Sequence, residues 1–298
     1  MENHIIIMAG GVGSRLFPLS TPAHPKQFLD ILGTGKTLIQ STYERFVNAY
    51  PDSHFWVLTS REYIHFIHEQ LPHIPDEQIL AEPVPRNTAP CIAYACWKIR
   101  QRFPNANIAV TPADAFIPDI EAFGKTMRLA SDYTNARNEI ICIGIKPTSP
   151  HTGYGYIKCP DAVEGEISKV ECFKEKPDLA TASSYLEQGG YWWNAGIFVW
   201  NVDTIEKAIR AHAPQIAAVM DQIAGAFYTA SEEDVVNKLF PSCEKISIDY
   251  AVIEKSDNVY TTPVSWEWSD LGSFEAIERV RQDLQSQAQR PGCEESQA

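Results

Sequence analysis

Gly10, Gly11 and Gly13 stand behind the apolar run Ile5-Ile6-Ile7 and just ahead of Arg15. Glycines let the backbone come close to a ligand, and successive N–H groups then form a concavity suited to phosphate oxygens. Arg15 adds a forked cation that can grip phosphate with two hydrogen bonds. A second cation, Lys26, sits behind the rigid Pro25 in Pro25-Lys26-Gln27-Phe28. Together they predict a nucleotide site at the carboxyl end of a first strand. The bland alternative is a tight turn, and neither standard motif decides the matter. The dinucleotide fingerprint needs a glycine where Leu16 stands, and Gly33-Thr34-Gly35-Lys36-Thr37 lacks the opening P-loop glycine, Asp30 being there.

Carboxylates are the next group with chemistry to offer. Asp114 follows the apolar segment Ile108–Thr111, and Asp270 precedes Leu271-Gly272-Ser273. Brought together they could hold Mg²⁺, which takes one or two carboxylates plus phosphate oxygens and water. Taken singly, each could equally be a turn residue or a helix cap. Lys176 could neutralise a second phosphate, and Glu175 and Asn194 could hydrogen-bond sugar hydroxyls. An exposed Glu175–Lys176 ion pair and core packing of Trp192 and Trp193 are the competing readings. Asp249, between Ile248 and Tyr250, could simply cap a helix. His65 and His68 stand at i and i+3 with His73 nearby, but no third ligand has suitable metal spacing, and they read as a solvated helix face.

These groups need a frame. Strand-like segments at Ile5–Ile7, Phe55–Thr59, Ile79–Ala81, Ile108–Thr111 and Ile140–Ile145 alternate with helical ones at Glu62–Leu71, Ala89–Arg102 and Ile120–Tyr133. That order predicts an α/β fold: a Rossmann-like, mainly parallel sheet with helices on both faces and ligands beyond the strands' carboxyl ends. The second half reads as a smaller β-rich layer. It has extended segments at Gly153–Ile157, Val170–Phe173 and Ile197–Trp200, and helices at Asp178–Leu186, Val202–Ala211, Ile216–Ala226 and Glu233–Phe240. Thr37 is expected to open a helix. Residues 1–281 form the expected catalytic body and 282–298 a polar C-terminal tail.

The 298 residues suffice for a substantial core, and 44% hydrophobic with 21% charged residues is ordinary globular composition. A net charge of −13 argues against a nucleic-acid or anionic-membrane binder, though not against a small anionic substrate at a local cluster of cations. No apolar run is long enough to span a bilayer, and no signal-peptide layout opens the chain. Seven cysteines without a C-x-x-C pair fit a reduced, cytoplasmic protein with buried thiols.

The motifs in order resemble the sugar nucleotidyltransferases, the family joining a sugar 1-phosphate to a nucleoside triphosphate. The resemblance runs through Gly10–Leu16, Pro25-Lys26-Gln27-Phe28-Leu29, Glu82-Pro83, Arg86-Asn87-Thr88-Ala89-Pro90 and Pro112-Ala113-Asp114. It continues through Thr152–Ile157, Phe173–Pro177, Trp193–Gly196, Ser247–Ala251 and Asp270–Ser273. Pro-Lys-Gln-Phe-Leu and Arg-Asn-Thr-Ala-Pro resemble the mannose-1-phosphate guanylyltransferase branch, also called GDP-mannose pyrophosphorylases. The resemblance implies that Ala9, Gly10, Gly11, Gly13, Ser14 and Arg15 hold the triphosphate and that Pro85, Asn87 and Thr88 approach the base. Asp114 and Asp270 would be the Mg²⁺ pair, and catalysis would rest on them with Arg15 and Lys26. Gly153, Tyr154, Glu175, Asn194 and Asp249 would recognise the sugar, and Lys176 its phosphate.

The implied reaction consumes GTP and mannose 1-phosphate and releases GDP-mannose and pyrophosphate. Assembly, for example as a homodimer, stays open. Departures from the family pattern are Ser14 for Thr, Phe17 for Trp, Pro85 for Gly, Ala115 for His and Ala195 for Ser. Isomerase activity, found in longer relatives, is not expected. The rivals are the same reaction with another sugar or base, and a catalytically silent binder of nucleotide sugars.

Overall fold

A computed structural model describes residues 2–288. Strand β1 (Asn3–Met8) empties into the glycine turn, and helix α1 (Leu38–Ala49) follows. Then come β2 (His54–Ser60), α2 (Ile64–Gln70), β3 (Ile79–Glu82), α3 (Thr88–Arg102), β4 (Asn107–Pro112), α4 (Ile120–Thr134) and β5 (Ile140–Ile145). The second half contains β6 (Tyr156–Lys158), β7 (Ser168–Lys169), β8 (Cys172–Lys174), α5 (Leu179–Gln188) and β9 (Tyr191–Asn201). Helices α6 (Val202–His212), α7 (Pro214–Ala224), α8 (Glu232–Leu239) and α9 (Ile248–Ala251), strand β10 (Val259–Val264) and α10 (Phe274–Ala288) complete it.

The main sheet runs in the order β3-β2-β1-β4-β9-β5-β10-β7. Strands β3, β2, β1 and β4 pair in parallel, as do β5 and β10, while β9 runs antiparallel between β4 and β5. The family of parallel strands therefore delivers its carboxyl ends, and the turns behind them, to one edge. Beside it, β6 pairs antiparallel with β8 and with the first part of β9, forming a small annex to the sheet.

Alternation along β1 sets the two layers of the core. Ile6 packs with Trp56, Ile92, Ile205 and Met220 on one face. Ile5 and Ile7 pack with Ile39, Phe46, Phe123 and Met127 on the other. All three isoleucines are fully buried, so truncating one to alanine would cost roughly 2–5 kcal/mol. Both faces are covered, as the β-α-β order implies.

Several elements differ from the sequence expectation. Glu62–Leu71 splits into a 3₁₀ turn at Arg61–Tyr63 and the shorter α2. Residues 152–154 form a turn and a bend, and the strand begins only at Tyr156. The Ile197–Trp200 strand is the tail of a longer one that starts at Tyr191 and carries Asn194 within it. Strand β10 lies inside the sheet and reads poorly from sequence. Both its faces are buried, so it shows no alternation, and Pro263 interrupts the pattern. Helix α10 runs to Ala288, so residues 282–288 continue a helix, while 289–298 lie outside the described residues.

Thr37 does open α1. Its hydroxyl accepts from the Gln40 N–H and the Gln40 side chain accepts from the Thr37 N–H, a reciprocal cap. Lys36 pairs with Glu44 rather than facing a phosphate hollow. His68 meets Asp76 on an exposed helix face. The described cysteines are all free, and all but Cys172 are buried.

Candidate active site

The glycine turn is held open by side chains from the segment that follows it. Gln27, buried, donates from Nε2 to the carbonyls of Ala9 and Gly11, each at 2.9 Å. Ser20 Oγ donates to the Val12 carbonyl at 2.7 Å. Gly13 has φ +66°, and a Cβ there would meet Ser20 Oγ at 2.8 Å and Lys26 Cβ at 2.9 Å. Only glycine suits both the conformation and the space. Ala9 is buried beneath the turn; its N–H donates to the Leu58 carbonyl and its own carbonyl accepts from Gln27 and Thr59. Ser14, exposed at the start of a 3₁₀ turn, lines neither of the hollows described next.

Two hollows of about 300 Å³ and 310 Å³ open at the carboxyl edge of the sheet. They share Met8, Gly13, Thr88, Pro112 and Asp114. The first also takes in Arg15, Lys26, Gly153, Tyr154, Glu175, Lys176, Asn194, Asp249 and Asp270. The second takes in Gly10, Gly11, Glu82, Pro85 and Asn87. The fold thus gathers the predicted sugar residues in one hollow and Gly10, Gly11, Pro85 and Asn87 of the predicted nucleotide residues in the other, with Gly13, Thr88 and Asp114 shared, whereas Arg15 lies on the sugar side and Ala9 and Ser14 line neither.

Asp114 arrives there because β4 lies beside β1, and the Ala113 N–H continues the ladder by donating to the Met8 carbonyl at 3.1 Å. Asp270 arrives through a two-bond bridge between Phe116 and Ser269, at 2.8 and 3.1 Å. Lys26 Nζ donates to Asp114 Oδ2 at 2.9 Å and also to the Asp270 carbonyl. Asp270 Oδ1 accepts from the Tyr154 hydroxyl at 2.7 Å, and Arg15, mostly exposed at the mouth, lies 3.9 Å from Asp270 Oδ2. The Tyr154 ring stacks on His151 at 3.7 Å between centroids, with Trp193 and Trp268 edge-on at 5.1 Å each. Burial, and then the Asp270 charge, raise the Tyr154 pKa and keep its hydroxyl a donor.

The two carboxylates keep 35% and 27% of their side-chain surface open to the junction. Hard, partly open oxygens beside a phosphate-sized hollow are the donor set a divalent cation takes, phosphate and water completing its shell. This chain therefore fits such an ion at Asp114 and Asp270.

In the sugar-side hollow, Asn194 Nδ2 donates to Asp249 Oδ1 at 3.0 Å, and its own Oδ1 accepts from the Gly196 N–H. Lys176 donates to Glu175. Burial first, and then the neighbouring Glu175 carboxylate, raise the pKa of Asp249. The result is a cluster of donors and acceptors suited to hydroxyl groups, with one ammonium for a phosphate.

On the nucleotide side Asn87 has φ +68° and its Oδ1 accepts from the Thr88 N–H, turning the chain into α3. The Thr88 hydroxyl accepts from the Ile248 N–H. Two residues here were not singled out from sequence as site residues. One is Gln27, whose signal was its place inside the Pro-Lys-Gln-Phe motif. The other is Glu82, at the end of β3. It is buried, its Oε1 has no hydrogen-bond partner, and burial pushes its pKa up to about 8. Its signal was its place in the Glu82-Pro83 motif, which carried the resemblance but was given no site role.

A glycine cradle, paired cations and two open carboxylates at the end of a mainly parallel sheet define a nucleotidyl transferase. The nucleotidyl transferase family model matches residues 4–287, and the chain belongs to that family. Among curated proteins it is 37% identical over 275 residues to a mannose-1-phosphate guanylyltransferase of Sinorhizobium fredii, covering 91% of this chain and 53% of that one. It is 36% identical over 292 residues to the xanthan biosynthesis protein XanB of Xanthomonas campestris, covering 95% and 60%. The chain thus spans little more than half the length of these relatives. A solved structure from Thermus thermophilus, described as a mannose-1-phosphate geranyltransferase, superposes with TM-score 0.84 at 30% identity, covering 94% of this chain and 79% of that one. A UDP-glucose pyrophosphorylase in complex with UDP-glucose, at 16% identity and TM-score 0.61, shares the fold. Among the described residues no helix is long and apolar enough to cross a membrane.

Proposed function

We propose that the protein transfers GMP from GTP to α-D-mannose 1-phosphate, forming GDP-mannose and pyrophosphate. The observation that carries this reading is the meeting of a nucleotide-side and a sugar-side hollow at Asp114, where Lys26 also lies. An oxygen of the sugar phosphate attacks the α-phosphorus of GTP in line. A new P–O bond forms, the α–β bridging P–O bond breaks, and its electron pair leaves with pyrophosphate.

The attacking oxygen is already anionic, so no general base is needed. The obstacle is repulsion between two polyanions, about 4 kcal/mol per unit-charge pair at 4 Å with an effective dielectric of ~20. Arg15 and Lys26 offset it at the triphosphate, and Lys176 at the sugar phosphate. Mg²⁺ at Asp114 and Asp270 would supply further charge neutralisation on the phosphates. Catalysis is mainly positioning and electrostatic stabilisation. A reaction that draws on GTP belongs in the cytoplasm.

Glu82 supports guanine as the base. An ionised carboxylate only accepts hydrogen bonds, and guanine presents N1–H and N2–H donors side by side where adenine presents one donor and one acceptor. Glu82 lines the nucleotide-side hollow with Gly10, Pro85 and Asn87, where its carboxylate suits that pair of donors. The test is pyrophosphate release from mannose 1-phosphate and, in parallel, GTP, ATP, UTP and dTTP, with and without Mg²⁺. Turnover confined to GTP plus sugar phosphate plus metal is expected. Turnover with another nucleotide would overturn the base, and silence with all four from folded protein would overturn the reading.

A further inference from the structure

Helix α1 carries two polar side chains in an otherwise apolar, buried stripe. Thr42 and Arg45 are 0% and 3% exposed, among Ile39 and Phe46. They stand at i and i+3, so they share one helix face. The Thr42 hydroxyl donates to the Ala113 carbonyl at 3.1 Å, and Arg45 Nη2 donates to the Ala115 carbonyl at 3.0 Å. These are the carbonyls on either side of Asp114.

We propose that Thr42 and Arg45 are positioning residues, through which helix α1 holds the backbone on both sides of Asp114 and keeps its carboxylate aimed at Lys26 and the junction. This rests on the reading that Asp114 works in the reaction.

The energetics of Arg45 favour this over a purely structural role. Its Nη1 is buried without a partner, and no ion pair of Arg45 is present among the described residues. The guanidinium lies over the Phe123 ring at 5.5 Å, a weak substitute for a carboxylate. Burial lowers its pKa only to about 10, so it stays charged near neutrality. A buried unpaired cation is costly to the fold, and an apolar residue of similar size would stabilise the same site as well or better. What an apolar residue cannot do is grip the Ala115 carbonyl.

The helix is a firm base for that grip. The Thr37–Gln40 cap fixes its start, the Leu38 N–H donates to the Leu29 carbonyl, and Ile39 and Phe46 lock it to the sheet. Beyond Ala115, the Phe116–Ser269 bridge fixes the same segment to the one bearing Asp270. The Asp114 turn is therefore held from both sides.

The experiment compares Thr42→Val, Arg45→Met, Arg45→Lys and Asp114→Asn with the parent protein. Thr42→Val and Arg45→Met should stay folded, with kcat lowered about 10- to 100-fold, because a displacement on the order of 1 Å costs about that much. KM for GTP and sugar phosphate, and GDP-mannose binding measured by calorimetry without metal, should stay within about threefold of the parent on the same positioning argument. Arg45→Lys, which retains a donor, should recover much of the lost rate. Because the two residues act through Asp114, adding Thr42→Val to Asp114→Asn should cost nothing more in the residual activity.

Parent kcat in folded Thr42→Val and Arg45→Met, with Asp114→Asn impaired, would overturn the clamp. So would effects that multiply in the double variant. Parent activity in Asp114→Asn would instead overturn the reading of Asp114 on which the clamp rests. If Arg45→Met fails to fold, Thr42→Val, which removes one hydroxyl at nearly constant shape, still decides the question.

Discussion

Lys26 Nζ lies 2.9 Å from Asp114 Oδ2 and also donates to the main-chain carbonyl of Asp270, so one buried ammonium ties together the two carboxylate-bearing segments. Its partner Asp114 stays partly open to solvent. The pair therefore serves charge placement at the junction more than it serves stability.

Replacing Lys26 by methionine should separate those roles. The stem is kept and the charge is lost, so turnover should fall by at least about 10²-fold. The unfolding free energy should drop by only about 1–3 kcal/mol, because water can solvate Asp114. Steady-state kinetics beside thermal unfolding checks both. Parent-like turnover would remove Lys26 from the reaction.

Glu82 makes a prediction about protons. With a pKa of about 8 in the free protein it is largely protonated at pH 7, and pairing with guanine N1–H and N2–H requires the ionised form. GTP binding at pH 7 should therefore release close to one proton. Calorimetry in buffers of differing ionisation enthalpy measures that release, and Glu82→Gln should abolish it and narrow the preference for GTP over ATP at least about tenfold.

The same group sets a stability slope. Its folded pKa is raised above the ordinary value of 4.5, so the native state binds more protons than the unfolded one between about pH 4.5 and 8. Its contribution to stability is complete below that window and is lost as pH rises through it, at no more than about 1.4 kcal/mol per pH unit. Denaturant unfolding of Glu82→Gln across the window should show a flatter profile than the parent.

Gly155 tests the sugar-side hollow. A Cβ there would lie 2.5 Å from Glu175 Oε2, 2.9 Å from Phe173 and 3.3 Å from Asn194. Gly155→Ala should displace Glu175 and lower kcat/KM for the sugar phosphate about tenfold or more, with KM for GTP little changed. Equal losses for both substrates would contradict the division of labour between the hollows.

Gln27 tests the loop. Gln27→Leu removes both donors to the Ala9 and Gly11 carbonyls. Stability should fall by about 1–3 kcal/mol. KM for GTP should rise more than the sugar-phosphate KM, because the Gly10–Gly13 turn loses its support. Kinetics with each substrate varied in turn reads the difference.

The sequence by itself determined the local pieces. Period and turn chemistry act between near neighbours, so the β1 run with its glycine turn, the Thr37 cap, helices α3 and α4, and the cations Arg15 and Lys26 were all legible. The ordered motifs from Gly10 to Ser273 suffice to place the chain in its family. Local patterns failed where burial removes periodicity or where the partner is distant. Strand β10 is covered on both faces and broken by Pro263, and the Asn194 segment joined β9 only by pairing with β5 and β6.

Tertiary structure alone decided the meetings. Asp114 and Asp270 converge because β4 lies beside β1 and because Phe116 pairs with Ser269. Glu82 Oε1 was left without a partner only when the fold buried the end of β3, and the Ala9 carbonyl is held by Gln27 and Thr59 from later segments. Thr42 and Arg45 read as ordinary helix residues until α1 docked on the Asp114 turn. Side-chain chemistry is written locally, but the partner that gives it work is chosen by strand order and packing, which no short window of sequence contains.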